Sequence, residues 1–312
     1  MLIITFIFSP VIYTDKAMAD NKTKTVLITG GRGQLGQEIQ GLSYTHAYRE
    51  YRFLHTDIET LDITQAGRLE DYIAENAVHC VINCASYTNV DKAEADQEAA
   101  MLVNGMAPGL LAGACSLSGA WLIHPGTDYV FDGQRPVPYR EEDTPAPLSF
   151  YGKSKLEGEK AVLDYERGTV VRTSWLYSTH GHNFFKTIMR VAKERDELNV
   201  VYDQTGTPTW ARDFARVLLM IAVNSLSGNG SYGKELFHYS NEGVGSWYDF
   251  AHEIVTLTGI NCRVRPVETQ QYPLPARRPS YSVMNKAKIR SRLSIDIPHW
   301  KESLRNCISQ LG

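Results

Sequence analysis

The chain has 312 residues, enough for one large α/β domain and a smaller second lobe. Hydrophobic residues make up 43% and charged residues 21%, which allows a sizeable core, and a formal net charge of −3 offers no broad basic field to a nucleic acid. The five cysteines (Cys80, Cys84, Cys115, Cys262 and Cys307) show no CxxC pair and no matching histidine spacing, so they read as reduced thiols rather than metal ligands, with Cys80 and Cys84 as buried small hydrophobes.

Met1 to Tyr13 is apolar but lacks a basic start and falls short of the ~18 residues that cross a bilayer. It is open to two readings. One is a signal peptide processed near Ala17-Met18-Ala19. The other, preferred because a glycine-rich loop follows so closely, is a cytoplasmic chain that starts at Met18. Either way 1–24 is an extension, untranslated or disordered. Strand-like apolar runs at 25–29, 52–55, 80–83, 121–124 and 169–172 then alternate with helical periodicity at 34–42, 66–75, 94–117 and 151–163. Repeated βαβ units of this length predict a doubly wound parallel sheet with helices on both faces. Beyond Ser174 helices are expected at 183–195, 212–225, 246–258 and 298–310, with short strands between them and a loop at 225–233. No later segment reads as a membrane span. The expected division is a sheet domain mainly over 25–175 and a smaller lobe mainly over 176–312, with the chain crossing back to the sheet.

The first chemical motif is Thr29-Gly30-Gly31-Arg32-Gly33-Gln34-Leu35-Gly36, between a strand and a helix. Gly30, Gly33 and Gly36 let the backbone turn sharply and approach a pyrophosphate, which the helix N-terminus then attracts. Asp57, at the end of the second strand, stands where a carboxylate accepts the ribose hydroxyls of NADH. Arg32 could instead pair with the 2′-phosphate of NADPH. The two residues pull in opposite directions, and both cofactors stay open.

The second motif is Tyr151-Gly-Lys-Ser-Lys155. Tyr and Lys four apart share one helix face, so the Lys155 ammonium should lower the Tyr151 phenol from its usual value near 10. Thr127, after the fourth strand, can reach the same site. His124 reads as a packed core histidine, and Glu141, Glu142 and Asp143 as solvated loop carboxylates.

Together these residues resemble the extended short-chain dehydrogenases and, more narrowly, the dTDP-4-dehydrorhamnose reductases. The likeness also runs through Leu61-Asp-Ile63, Ala85-Ser-Tyr-Thr-Asn-Val-Asp91, Val103-Asn104, Val171-Arg-Thr-Ser-Trp175, Gly206-Thr-Pro-Thr209 and Arg278-Pro279. It implies a Rossmann-type NAD(P)-binding fold with a C-terminal substrate lobe. Gly33, Gln34 and Leu35 are then assigned to the cofactor pyrophosphate, Asp62 and Ile63 to the adenine, and Ser86, Tyr87 and Thr88 to the nicotinamide half. Thr127, Asp128 and Trp175 are assigned to the sugar nucleotide, and Asn104 to support of the site. Arg278, with Arg277, could clamp the substrate diphosphate. Gly126 replaces the serine usual before the Thr-Asp pair.

The implied reaction is reduction of the C4 keto group of dTDP-4-dehydro-β-L-rhamnose to dTDP-L-rhamnose, used for surface polysaccharides. Hydride comes from NADPH or NADH, Tyr151 protonates the forming alkoxide, Thr127 hydrogen-bonds it, and Lys155 holds the nicotinamide ribose and tunes Tyr151. A cytoplasmic monomer or homodimer is expected, with a small-molecule partner and neither nucleic acid nor membrane. Some relatives bind Mg²⁺ through carboxylates at a dimer interface, but no motif here identifies that site. Three alternatives stand: a reductase of another nucleotide 4-keto sugar; a dehydratase or epimerase, disfavoured because Tyr129 follows Asp128 where dehydratases carry an acid; and a non-catalytic NAD(P)-binding regulatory subunit like that of methionine adenosyltransferase.

Overall fold

The computed structural model describes residues 23–230 and 232–311, so the expectations for Met1 to Tyr13 and for a start at Met18 lie outside the described residues. Six parallel strands form the central sheet: β1 (Lys24–Thr29), β2 (Tyr51–His55), β3 (Val78–Asn83), β4 (Trp121–Thr127), β5 (Gly168–Thr173) and β6 (Glu235–His238). Their spatial order is β6-β5-β4-β3-β1-β2. The chain therefore reverses direction across the sheet between β1 and β3, the place where open α/β sheets take their ligands, at the strands' C-terminal ends.

Alternation along each strand builds the two core layers. In β1, Val26 and Ile28 face the layer of helices α1 (Gln34–Ser43) and the long helix Ala211–Ser227, while Leu27 faces α2 (Ala66–Glu75), α3 (Gln97–Ser118) and α4 (Phe150–Asp164). By length and composition α3 could cross a membrane, a feature the sequence reading did not register. In the fold Ala100 is buried, and Ala107, Leu111, Ala114 and Cys115 of the same helix join the second core layer against the sheet.

Residues 94–117 were expected as one regular helix, but a π-helical turn interrupts α3 at Leu102–Met106. Strand β4 also runs three residues past its predicted end. Pro125, Gly126 and Thr127 stay in register with Val171, Arg172 and Thr173 of β5, whereas pairing with β3 stops at Ile123. A proline without an N–H is tolerated in such a half-open stretch.

The second lobe has its own core, in which Tyr177, Phe185, Ile188, Phe250, Ile254, Trp300 and Leu304 pack between the helices Phe184–Glu194, Trp247–Thr258 and Trp300–Ile308. A parallel strand pair, Glu197–Val201 with Arg263–Val267, closes its side. Between these elements the chain returns to the sheet through helix Ala211–Ser227 and β6. All five cysteines are free; Cys80 is buried as expected, but Cys84 is only partly so. Glu141 departs from the solvated role expected of it: half-buried, it accepts the His238 N–H at 2.9 Å and ties its loop to the edge strand.

Candidate active site

The glycine loop leaves β1 at Gly30 (φ +62°), where a side chain would meet the backbone of Ala85, 2.6 Å from its nitrogen. A side chain at Gly36 would likewise overlap the backbone of Gly30 and Gly31, so helix and loop touch directly. Helix α1 starts at Gly33 with no side-chain cap. This bare N-terminus, on a loop that side chains would fill, fits a dinucleotide pyrophosphate. Leu35 anchors the helix in the core, and the Gln34 side chain reaches the second lobe, donating to the Leu176 carbonyl and accepting from Asn183 at 3.1 Å.

Asp57 accepts the Arg32 backbone N–H at 2.9 Å through one oxygen and the Ile58 N–H at 2.9 Å through the other. The Arg32 guanidinium turns outward and pairs with Glu59 at 2.7 Å, both side chains being more than half exposed. Sequence reasoning passed over Glu59, which lies two residues beyond the strand-end acid. Asp62 closes the turn into α2. It accepts the Thr64 N–H and hydroxyl and the Gln65 amide, and these bonds, the Thr64 N–H foremost, hold its carboxyl below the usual range. Ile63 is buried in the core beneath that turn.

The π-turn of α3 carries Asn104, which is buried. Its oxygen accepts from the Ser86 hydroxyl at 2.9 Å and the Tyr87 N–H at 2.8 Å, and its amide donates to the Tyr87 carbonyl and to Ser154 on α4. One residue thus fixes the loop after β3 against the helix that carries Tyr151; a π-turn at such a position commonly marks a functional site. Thr88 is exposed at the end of that loop.

Thr127 ends β4, and Tyr151 and Lys155 lie one turn apart at the start of α4, where the Ser149 hydroxyl caps the helix through the Gly152 N–H. The Tyr151 phenol lies beside the Thr127 hydroxyl, and the Tyr129 ring meets it edge-on at 5.6 Å. Against expectation, Tyr151 is not lowered toward neutrality. Burial pushes it up to about 12, the nearby Thr127 hydroxyl offsets this in part, and the charges of Asp128 and Glu159 add to the rise. The Lys155 ammonium is drawn instead to the Pro125 carbonyl at 2.8 Å and to His124. Burial lowers Lys155 itself to about 8, against the opposing pull of Glu159. A phenol of this kind holds its proton and can donate it.

Asp128 is buried beside Thr127, which donates to it at 3.3 Å, and burial raises its carboxyl to about 7. Trp175 takes a left-handed backbone (φ +46°), a strained conformation for an aromatic residue. Its indole stacks on Trp247 at 3.7 Å, and Gly206 leaves room for the ring. Trp247 carries no local signal in the sequence.

Arg278, expected as a diphosphate clamp, is paired within the chain. Its fork is bidentate on Asp91, at 3.0 and 2.7 Å, and it also donates to the Ala276 carbonyl at 3.1 Å. Two segments far apart in sequence are thereby tied together, while Arg277 is exposed. Among the described residues no group of three or more His, Cys, Asp or Glu could hold a metal ion.

Residues 24–312 match the family model described as the RmlD substrate binding domain. The dTDP-4-dehydrorhamnose reductase of Sinorhizobium fredii is 38% identical over 286 residues, covering 90% of this chain and 95% of that one. A crystal structure of a dTDP-4-dehydrorhamnose reductase from Clostridium acetobutylicum is 42% identical with a TM-score of 0.86, covering 92% of this chain and 99% of that one. A Bacillus anthracis dTDP-4-dehydrorhamnose reductase, solved in complex with NADP, is 37% identical with a TM-score of 0.85, covering 93% and 100%.

Proposed function

Because the chain belongs to the RmlD family of dTDP-4-dehydrorhamnose reductases, we propose that its site at the end of β4 carries out their reaction, with Thr127, Tyr151 and Lys155 as the reacting set. The protein is an NAD(P)H-dependent oxidoreductase of dTDP-rhamnose biosynthesis that reduces dTDP-4-dehydro-L-rhamnose to dTDP-L-rhamnose. The observation that carries the assignment of roles is the buried Tyr151 phenol beside Thr127 at the end of β4, with Lys155 one turn along the same helix and held by the Pro125 carbonyl of that strand, next to an uncapped glycine loop.

Gly30, Gly33 and Gly36 with the N-terminus of α1 would hold the cofactor pyrophosphate, Asp57 and Arg32 the adenosine end, and Ser86 and Tyr87 the nicotinamide end. When bound, the nicotinamide supplies hydride to the sugar's C4. Tyr151 gives its proton to the C4 oxygen, a role suited to a phenol pushed up to about 12, because such a group stays protonated until a stronger base forms beside it. Thr127 hydrogen-bonds the same oxygen and steers the phenol toward it. Lys155 presents an ammonium to the ribose. Trp175, braced by Trp247, offers a flat apolar face to the sugar nucleotide, and Asp128 offers a carboxyl. The Asp91–Arg278 pair ties the segment after β3 to the one that carries Arg278 beside this space. We place the reaction in the cytoplasm.

Tyr129 stands where a dehydratase would need an acid, and its buried phenol is held well above the usual range. An intact Thr127, Tyr151 and Lys155 set speaks against a purely regulatory subunit. The test is oxidation of NADH and NADPH by the full chain with dTDP-4-dehydro-L-rhamnose. Product dTDP-L-rhamnose is expected; a folded, cofactor-binding protein without turnover would overturn the assignment.

A further inference from the structure

His124 was expected to be a core residue packed without a chemical task. It is buried in the middle of β4, yet it faces a charged group: its Nε2 lies 3.4 Å from the Lys155 ammonium, and its Nδ1 lies 3.1 Å from the Asn83 side-chain amide. In the structure the Thr29 hydroxyl donates to the Asn83 side-chain oxygen at 2.6 Å, which leaves the Asn83 NH2 facing Nδ1. Thr29 and Asn83 end β1 and β3, the two strands between which the chain reverses, so the row Thr29, Asn83, His124, Lys155 runs beneath the cofactor loop across three neighbouring strands to the catalytic helix.

Hydrogen-bond bookkeeping gives this row a direction. Burial and the neighbouring ammonium hold His124 neutral, well below its ordinary value. A neutral imidazole has one N–H and one bare nitrogen, while an ammonium only donates. Facing Lys155, Nε2 must therefore be bare, and the ring proton must sit on Nδ1. That proton needs an acceptor, which Asn83 supplies once its amide is turned over from the orientation in the structure, oxygen toward the ring and NH2 toward the Thr29 oxygen. In the opposite amide orientation, with Nδ2 toward Nδ1, the His124 Nε2–H would oppose the Lys155 N–H groups, donor against donor. Lys155 has three donors. The Pro125 carbonyl takes one at 2.8 Å, His124 takes a second, and one is left for a ligand. The other ionisable groups facing Lys155 are Glu159, from its own helix, and Cys84, after β3.

We propose that His124 is a positioning residue, a neutral acceptor whose Asn83-fixed tautomer aims the Lys155 ammonium at the cofactor ribose. This rests on the role given to Lys155 under the proposed function. It adds that the aim of the ammonium is set from the sheet as well as from the catalytic helix.

The decisive measurement is a long-range ¹H–¹⁵N correlation spectrum of the full chain labelled at histidine, with the His124 signals assigned by their loss in His124→Gln. A ring that stays neutral from pH 5 to 8 with its proton on Nδ1 is expected. A proton on Nε2, or titration near 6.5, would overturn the proposal without any reference to turnover. Kinetics add a second arm. His124→Leu removes the acceptor and should raise KM for NAD(P)H about tenfold, the lower end of what a hydrogen bond to a charged group contributes. His124→Gln keeps a carbonyl acceptor and should recover most of that loss. Equal losses in both variants, with unfolding midpoints matched, would make His124 a packing residue only. Lys155→Met separates the two levels: undiminished turnover there would remove the role of Lys155 itself, whatever the His124 tautomer.

Discussion

Replacing Glu159 by glutamine should cost about 3–5 kcal/mol of folding stability, the usual penalty for stripping one partner from a buried ion pair. Glu159 and Arg172 are 1% and 3% exposed, and one carboxylate oxygen receives both the Nε and Nη2 groups of Arg172 at 2.9 Å. The variant keeps shape and volume, so what it isolates is an uncompensated guanidinium. The Phe131 ring, 5.2 Å from the guanidinium carbon, softens that by about 2 kcal/mol in so dry a site, which does not replace a full counter-charge. His238, the other polar neighbour, cannot substitute for an anion, because burial lowers it to about 3 and leaves it neutral. Against a typical total of about 5–15 kcal/mol the loss is large. Urea unfolding at pH 7, followed by tryptophan fluorescence, measures it. The double variant Glu159→Leu with Arg172→Met should recover most of the loss, since an apolar pair of similar volume needs no counter-charge. A change below about 1 kcal/mol, or a double variant no more stable than the single one, would refute the reasoning. Glu159 also supports the charge on Lys155, so in Glu159→Gln the alkaline limit of cofactor binding should move below pH 8.

Tyr151→Phe should retain NAD(P)H binding, read by fluorescence titration, while losing turnover; undiminished turnover would remove Tyr151 as the proton donor. Arg32→Ala should lower kcat/KM for NADPH at least tenfold and leave that for NADH within about twofold, as loss of a charge-assisted contact to a 2′-phosphate requires. Glu59→Gln releases Arg32 from an exposed pair that contributes up to about 1 kcal/mol, so the NADPH to NADH ratio should rise by no more than about fivefold. A ratio that moves in neither variant would take Arg32 out of cofactor choice. Asp128 has a folded value near 7, above its ordinary 3.8, so the stability it contributes is complete below about pH 4 and is lost as pH rises through 7. Asp128→Asn should therefore gain on the parent protein between pH 4.5 and 7.5 in urea midpoints, and a constant difference would count against that assignment.

Much of the sheet was legible because its signals are local. A run such as Val26-Leu27-Ile28 buries alternate residues on two faces, and any strand with that pattern must be covered on both sides. The glycine loop was legible for a similar reason: the backbone turn at Gly30 and the close approach at Gly36 depend on the absence of a side chain, which the sequence states outright. Spacing placed Tyr151 and Lys155 on one helix face, because a helix repeats every 3.6 residues wherever it lies.

The electrostatics of those same residues belonged to the tertiary structure. Lys155 was expected to act on Tyr151, but burial raised the phenol, and a strand carbonyl and a histidine from β4 drew the ammonium away. Asn104 reaches the site through a π-turn that apolar periodicity cannot reveal. Arg278 was recognised as a fork for an anion, yet the anion it meets is Asp91 of its own chain, brought near by folding. Residue type and local spacing thus determined which chemistry the chain can carry and which segments become strands and helices. Which donor meets which acceptor, and how far burial moves a proton's affinity, was decided only by the fold, because both depend on neighbours many tens of residues away and on the water they exclude.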